Sequence, residues 1–330
     1  MPDLDSISIL TLWTAIAIYA GAFIVFTFDL ARRSSTVKAE ERMLVMADGA
    51  VVTAPGESPY ASGTGGAEGA VAPVKQRFVM ARIGTSLTIL GWLFHLAATV
   101  TRGIADGHVP WSNLYEFAMI GTLLVVLVYL VVLMRIDLRF LGAFITGLVL
   151  VLLGAAAANF YREVTPLAEP LKSVWLVIHV FVASLSVGVF ALAFALSVVQ
   201  LMQARRERRL AEGIENAGPG FLRTLPDTVR LENLAYRFSV VGFILWTFTL
   251  IAGSIWAQDA WGRYWGFDVK ETWTFIIWVL YAGYIHARAT RGWRGSPSAW
   301  LSIVGFASVI FNFTIVNVFF KGLHAYSGLS

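Results

Sequence analysis

Eight stretches of this chain run for about twenty residues each with almost no charge, at roughly 7–29, 80–101, 117–134, 139–159, 173–202, 238–257, 271–288 and 298–320. A bilayer's hydrocarbon core is about 30 Å thick and takes roughly 20 residues of helix to cross. Backbone N–H and C=O groups find no water there, so each must be bonded within its own segment, which restricts such stretches to helices. The expected fold is therefore all-α: a polytopic membrane helical bundle of about eight transmembrane helices. Composition agrees, with 57% hydrophobic and only 14% charged residues, outside ordinary soluble usage. The first run is not a signal peptide, since it lacks a basic start and is long enough to span.

Charge fixes an orientation. If residues 30–79, 135–138, 203–237 and 289–297 face the cytoplasm, those loops and the adjoining helix ends hold nineteen of the twenty-five Lys and Arg residues. The opposite side keeps Arg102, Arg162, Lys172, Arg263, Lys270 and Lys321. That asymmetry follows the positive-inside rule and puts both termini on the outer side of a plasma (inner) membrane. It also accounts for a pI near 9.4 without nucleic acid as a partner. Residues 1–29 then form a first span and 30–79 a flexible cytoplasmic linker, with Gly, Ala, Pro and Ser concentrated at 47–74. Residues 80–330 form a core of seven spans with an outer loop at 256–273. The arginines of 203–237 lie near anionic head groups and fix topology. The chain has no cysteine, which excludes a disulfide framework, a thiolate nucleophile and a Cys-ligated metal.

The outer loop is unusual. Five of the twelve tryptophans fall between Trp256 and Trp278, around the string Trp261-Gly262-Arg263-Tyr264-Trp265-Gly266-Phe267-Asp268. An interfacial aromatic belt spreads around a protein on both faces, so this concentration points to a large, flat, amphipathic ligand. Asp268 and Glu271 have capping-box spacing at the start of a helix, as do Asn113 and Glu116. For Asp268 that leaves two readings open, a helix cap and a residue facing the ligand.

Histidines could supply a metal's ligands. His95, His179 and His286 lie in spans, His324 just beyond the last one, and His108 in the outer loop after the second. Ionisable groups in a bilayer are costly and default to function, although a single intramembrane histidine is often a packing residue. His179 lies about six residues down its span, roughly 9 Å at 1.5 Å per residue. His324 emerges at the same surface, so both can flank the tryptophan loop. Two imidazoles facing each other across a macrocycle are axial ligands for haem iron. Arg263, Lys270 or Lys321 could pair with its propionates. Zinc is the weaker alternative, for want of cysteines and of compact ligand spacing. His95 and His286 would make a second pair, but depth counting leaves them roughly 10–15 Å apart.

The segment Trp261-Gly262-x-x-Trp265-x-Phe267-Asp268 resembles the WGxxWxWD signature of haem-handling proteins of cytochrome c maturation. Trp256-Ala257-x-x-Ala260-Trp261-Gly262, leading into Asp268-x-Lys270-Glu271-Thr272-Trp273, resembles the CcsA (ResC) branch of system II, called CcsB in some bacteria. Pro110 to Glu116, Leu171 to Trp175 running on to His179, and Gly322-Leu323-His324-Ala325-Tyr326 extend the likeness over most of residues 80–330. The resemblance implies that His179 and His324 ligate haem at the outer face and that His95 and His286 ligate or pass it within the bilayer. The haem (haem b, as substrate rather than permanent cofactor) would rest on Trp256, Trp261, Trp265, Phe267, Trp273, Asp268 and Arg263. It further implies a subunit of a cytochrome c haem lyase, active only with a CcsB/ResB-type membrane partner. That complex would join haem by thioether bonds to a CxxCH apocytochrome c, with a thioredoxin-like thiol reductant as a further partner. Phe267 departs from the signature, replacing a tryptophan and losing its indole N–H donor. Two other readings are a bis-His membrane haem b electron-transfer protein and a CcmC-like haem handler of system I, which is expected to be shorter.

Overall fold

A computed structural model describes residues 3–51, 79–164, 166–214, 217–290, 293–320 and 322–324, with residues 34–51 described by backbone alone. Eight long helices follow one another: α1 (Leu4–Val51), α2 (Val79–Asp106), α3 (Leu114–Leu133), α4 (Gly142–Asn159), α5 (Val174–Ala211), α6 (Thr228–Trp261), α7 (Val269–Ala289) and α8 (Ser296–Phe311). A π-helical turn, Asn312–Val316, and the short α9 (Asn317–Phe319) complete the last span. No strand occurs among the described residues. The chain is a polytopic helical membrane bundle.

Seven of the long helices are long and apolar enough to cross a bilayer. The exception is α7, where an eighth span was expected. It is 21 residues long, so apolarity is what falls short. Trp273, Trp278, Tyr281 and Tyr284 take four positions, and Lys270, Glu271 and Arg288 charge its ends. At the other boundary, helix α1 continues to Val51, through the first part of the segment read as a linker. Residues 52–78, which hold most of the Gly-, Ala- and Pro-rich stretch, lie outside the described residues, as does Lys321.

Two tightly fitted helix pairs organise the bundle. On α2 seven of the eight buried positions, Ala81, Gly84, Thr88, Gly91, His95, Ala98 and Arg102, follow an alternating three–four spacing that makes a coiled-coil seam. Its glycines receive the aromatic rings of α1. A Cβ on Gly84 would come within 2.9 Å of Phe26, and one on Gly91 within 2.9 Å of Tyr19. Small residues permit this close approach, which inside lipid supplies much of the association energy. Helices α5 and α6 repeat the device. Phe190 of α5 fits against Gly242 and His179 fits against Gly253, where added Cβ atoms would lie 2.5 Å and 2.6 Å away. The two members of each set are eleven residues apart, or three turns, so one register serves both contacts.

Helix α7 runs antiparallel beside α6 along its length. The Trp246 indole donates to Thr274 O at 3.1 Å, Tyr236 meets Tyr284 at 6.2 Å between centroids, and Arg288 pairs with Glu232 at 2.7 Å. On its other side Trp273 packs on Phe311 and Tyr281 closes on Gly305. A separate apolar cluster of Leu171, Leu176, Val180 and Trp256, with Trp111 and Trp261 packed against it, lies at the other end of these helices.

Candidate functional site

Helix α5 starts at Val174, where the Ser173 hydroxyl accepts from Trp175 N at 3.2 Å in an N-cap. Six residues on, His179 Nδ1 lies 2.9 Å from Thr249 O. A carbonyl oxygen can only accept, so Nδ1 carries the proton and Nε2 keeps its lone pair. That is the tautomer a metal-binding imidazole needs, with its second nitrogen anchored to the backbone. The ring stacks on Trp256, with centroids 5.9 Å apart and planes 14° from parallel.

The second imidazole comes from the far end of the chain. His324 Nδ1 lies 2.6 Å from Asp268 Oδ2, again freeing Nε2. Its ring stands edge-on to Trp256 at 5.3 Å and to Trp261 at 4.8 Å. Trp256 therefore touches both imidazoles, and the two centroid distances of 5.9 Å and 5.3 Å bound the separation of the rings at their sum. Burial pushes the His324 imidazole below its ordinary value of 6.5, with Asp268 opposing. Burial also raises Asp268, but the bond to His324 and its charge outweigh that, so the carboxyl sits below 3.8. At neutral pH the imidazole is thus neutral and the carboxylate ionised.

Of the two sequence readings of Asp268, the helix cap is the one observed. It caps α7 in a reciprocal box with Glu271, whose Oε2 accepts from Asp268 N at 3.0 Å and Gly266 N at 2.9 Å. The same aspartate orients His324. Gly322 is required beside it, because a Cβ there would lie 2.1 Å from Asp268 Oδ1. Gly262, at φ 70°, ends α6 in the left-handed conformation that glycine tolerates. Phe267 takes φ 55° without being glycine, and its ring is 81% exposed.

His179 and His324 line one cleft of about 1230 Å³, counting the space open to the outside. Its walls are mostly apolar, from α3, α5 and α8, with Trp111 and Trp256 near the imidazoles. Lys270 also lines it and donates to Asn317 Oδ1 at 2.5 Å. A smaller adjoining cavity adds Trp265 and Tyr264 beside the same two histidines. Two unprotonated nitrogens, indole faces and one cation in an apolar cleft fit the chemistry of a metalloporphyrin with carboxylate side chains.

Other predicted residues lie elsewhere. His95 is wholly buried between α1 and α2, its Nδ1 3.4 Å from the Tyr19 hydroxyl. His286 is exposed on α7. No side-chain contact joins them among the described residues. Trp273 packs between α7 and α8 against Phe311, and Arg263 is engaged with Glu271 at 3.2 Å while lying over the Trp261 ring. Sequence reasoning did not single out Thr249, Gly253 or Asn317. Gly253 left a trace, since it repeats Gly242 at an interval of three helical turns.

A family model described as Cytochrome C assembly protein matches residues 111–324, a range running from one wall of the cleft to its second histidine. Proteins named cytochrome c biogenesis protein CcsA are similar over most of the chain. The one from Guillardia theta is 34% identical over 262 residues, 75% of this chain and 86% of its own length. That of Prochlorococcus marinus is 34% identical over 249 residues, 69% and 78% of the respective chains. The Synechococcus elongatus protein is 33% identical over 282 residues, 74% and 87%.

Proposed function

The chain belongs to the cytochrome c assembly family as a CcsA-type, multi-pass membrane protein, and from that premise we propose that it binds haem in the cleft and presents it for attachment to apocytochromes c. The observation that carries this reading is the lining of one cleft by His179 and His324, each with Nδ1 engaged and Nε2 free. In the bound state these two nitrogens hold the iron, Trp256 packs beside both rings, and Lys270 meets a propionate. Trp261 and Trp265 shield the outer edge. Haem supplies the vinyl groups to which the thiols add, and both thiols come from the apocytochrome, because this chain has no cysteine. Its own contribution is positioning and the exclusion of water from the ring faces.

The cleft belongs at the outer face of a plasma membrane, with both termini on that side. The antiparallel run of α7 beside α6 supports an eighth crossing despite the polar ends of α7. The chain is a subunit of a system II synthase, working with a CcsB/ResB-type partner and an apocytochrome kept reduced by a thioredoxin-like protein. We confine the haem assignment to His179 and His324, because no contact among the described residues joins His95 to His286.

Absorption spectra of the complex purified with its partner test the proposal. Wild type is expected to show a Soret band, and haem supplied to it should appear covalently on a co-expressed c-type cytochrome. Retention of haem with no covalent transfer would instead favour an electron carrier. A protein with no Soret band would remove the haem reading altogether.

A further inference from the structure

The outer ends of α2 and α3 hold a second group of ligand-type side chains that the proposed function does not use. Asp106 closes α2, His108 follows in the loop, and Glu116 opens α3; one donor atom of each lies within 4.8 Å of the others. Charge is out of balance here. The buried Arg102 meets Asp5 at 2.6 Å, Asp106 at 2.9 Å and Glu116 at 2.8 Å, and the side chains of Asp106 and Glu116 are each 1% exposed. One guanidinium therefore faces three carboxylates. Asp106 Oδ1 is buried and accepts no hydrogen bond.

The imidazole supplies an independent observation. His108 Nδ1 lies 3.0 Å from Val109 O, so it carries the proton and Nε2 holds the lone pair. That Nε2 is buried without a partner, and one ring nitrogen of His108 lies within 4.8 Å of a carboxylate oxygen of each acid. In the neutral ring that nitrogen carries a lone pair, which either a second ring proton or a metal cation would occupy. A histidine with one nitrogen tied to a backbone carbonyl, and carboxylates braced by an arginine, is a ligand set with its outer supports in place. A nitrogen donor with two carboxylates suits zinc, whereas calcium and magnesium prefer oxygen alone.

We propose that Asp106, His108 and Glu116 bind a divalent zinc ion at the outer surface, apart from the haem cleft. The ion would tie the end of α2 to the start of α3 and fix the loop between them, which carries Trp111 into the cleft wall. The proposal does not depend on haem binding.

The test uses the full chain in detergent, stripped with EDTA and dialysed against Zn²⁺, with metal counted by mass spectrometry and affinity read by chelator competition. The expected result is about one zinc per chain, falling at least about tenfold in His108→Ala and kept in His179→Ala and His324→Ala. His108 lies in a partly exposed loop, so its replacement leaves the packing of α2 on α3 intact. Asp106→Asn should lose zinc as well. Absence of zinc uptake by wild type would overturn the proposal, as a proton shared between the two acids would then suffice. Zinc kept in His108→Ala but lost in His324→Ala would overturn it too, by placing the ion in the cleft.

Discussion

The two histidine pairs read from the sequence lie in different surroundings. His179 on α5 and His324 beyond the end of α9 are far apart in sequence, yet both border one cleft and both touch Trp256. Each has an acceptor fixing its tautomer, Thr249 O for one and Asp268 for the other. His95 instead occupies a seam position between α1 and α2, and His286 looks outward from α7. What sets His179 and His324 apart is the shared cleft, since His95 also has its Nδ1 beside a hydroxyl. Depth in the bilayer is not enough.

The largest effects should separate those two pairs. His179→Ala and His324→Ala are each expected to lower haem per purified protein at least about tenfold, while His286→Ala leaves it unchanged, as read by pyridine haemochrome. Equal losses in all three would dissolve the distinction. Asp268→Asn should weaken haem binding by roughly tenfold as well, since His324 loses its charged acceptor while the helix cap keeps an oxygen. For Gly253→Ala a loss of about 1–3 kcal/mol in stability is expected, with broadened haem spectra, because the new methyl meets His179 at 2.6 Å. Gly154→Ala, with nothing within 4 Å, serves as its control in thermal unfolding. His95→Ala should cost about 2 kcal/mol of stability and spare the haem of the folded fraction.

The smallest effect is one of pH. The His324 imidazole sits below 6.5 in the folded chain and Asp268 below 3.8. The folded state therefore holds fewer protons than the unfolded one as acid is added. The contribution of His324 is fully present above pH 6.5 and is lost as pH falls toward the lowered folded value. Spectral titration should show unchanged ligation from pH 8 to about 6.5 and loss only in more acidic buffer. Loss of ligation between pH 8 and 7 would contradict the neutral imidazole.

Much of this was legible in the sequence, for physical reasons. Length and apolarity located seven spans, because lipid permits so few alternatives. They described α7 poorly, since its tryptophans, tyrosines and charged ends pack on α6 and α8. The capping spacing of Asp268 and Glu271 was visible because a helix start is local. The bond from Asp268 to His324 spans 56 positions, and no local pattern announces it. His95 could have been read better. The recurrence of Ala81, Gly84, Thr88, Gly91, His95, Ala98 and Arg102 at three–four intervals marks a helix seam and gives that histidine a packing partner. Thr249 contributes only its carbonyl oxygen, which no side-chain motif encodes.

The most direct measurement is low-temperature EPR of the ferric complex in wild type, His179→Ala and His324→Ala, with and without added imidazole. Two cleft histidines holding the iron predict a low-spin bis-imidazole signal in wild type. Each variant should convert to high spin, and imidazole should restore the low-spin form. A low-spin signal that persists unchanged in both variants would show that other residues hold the iron.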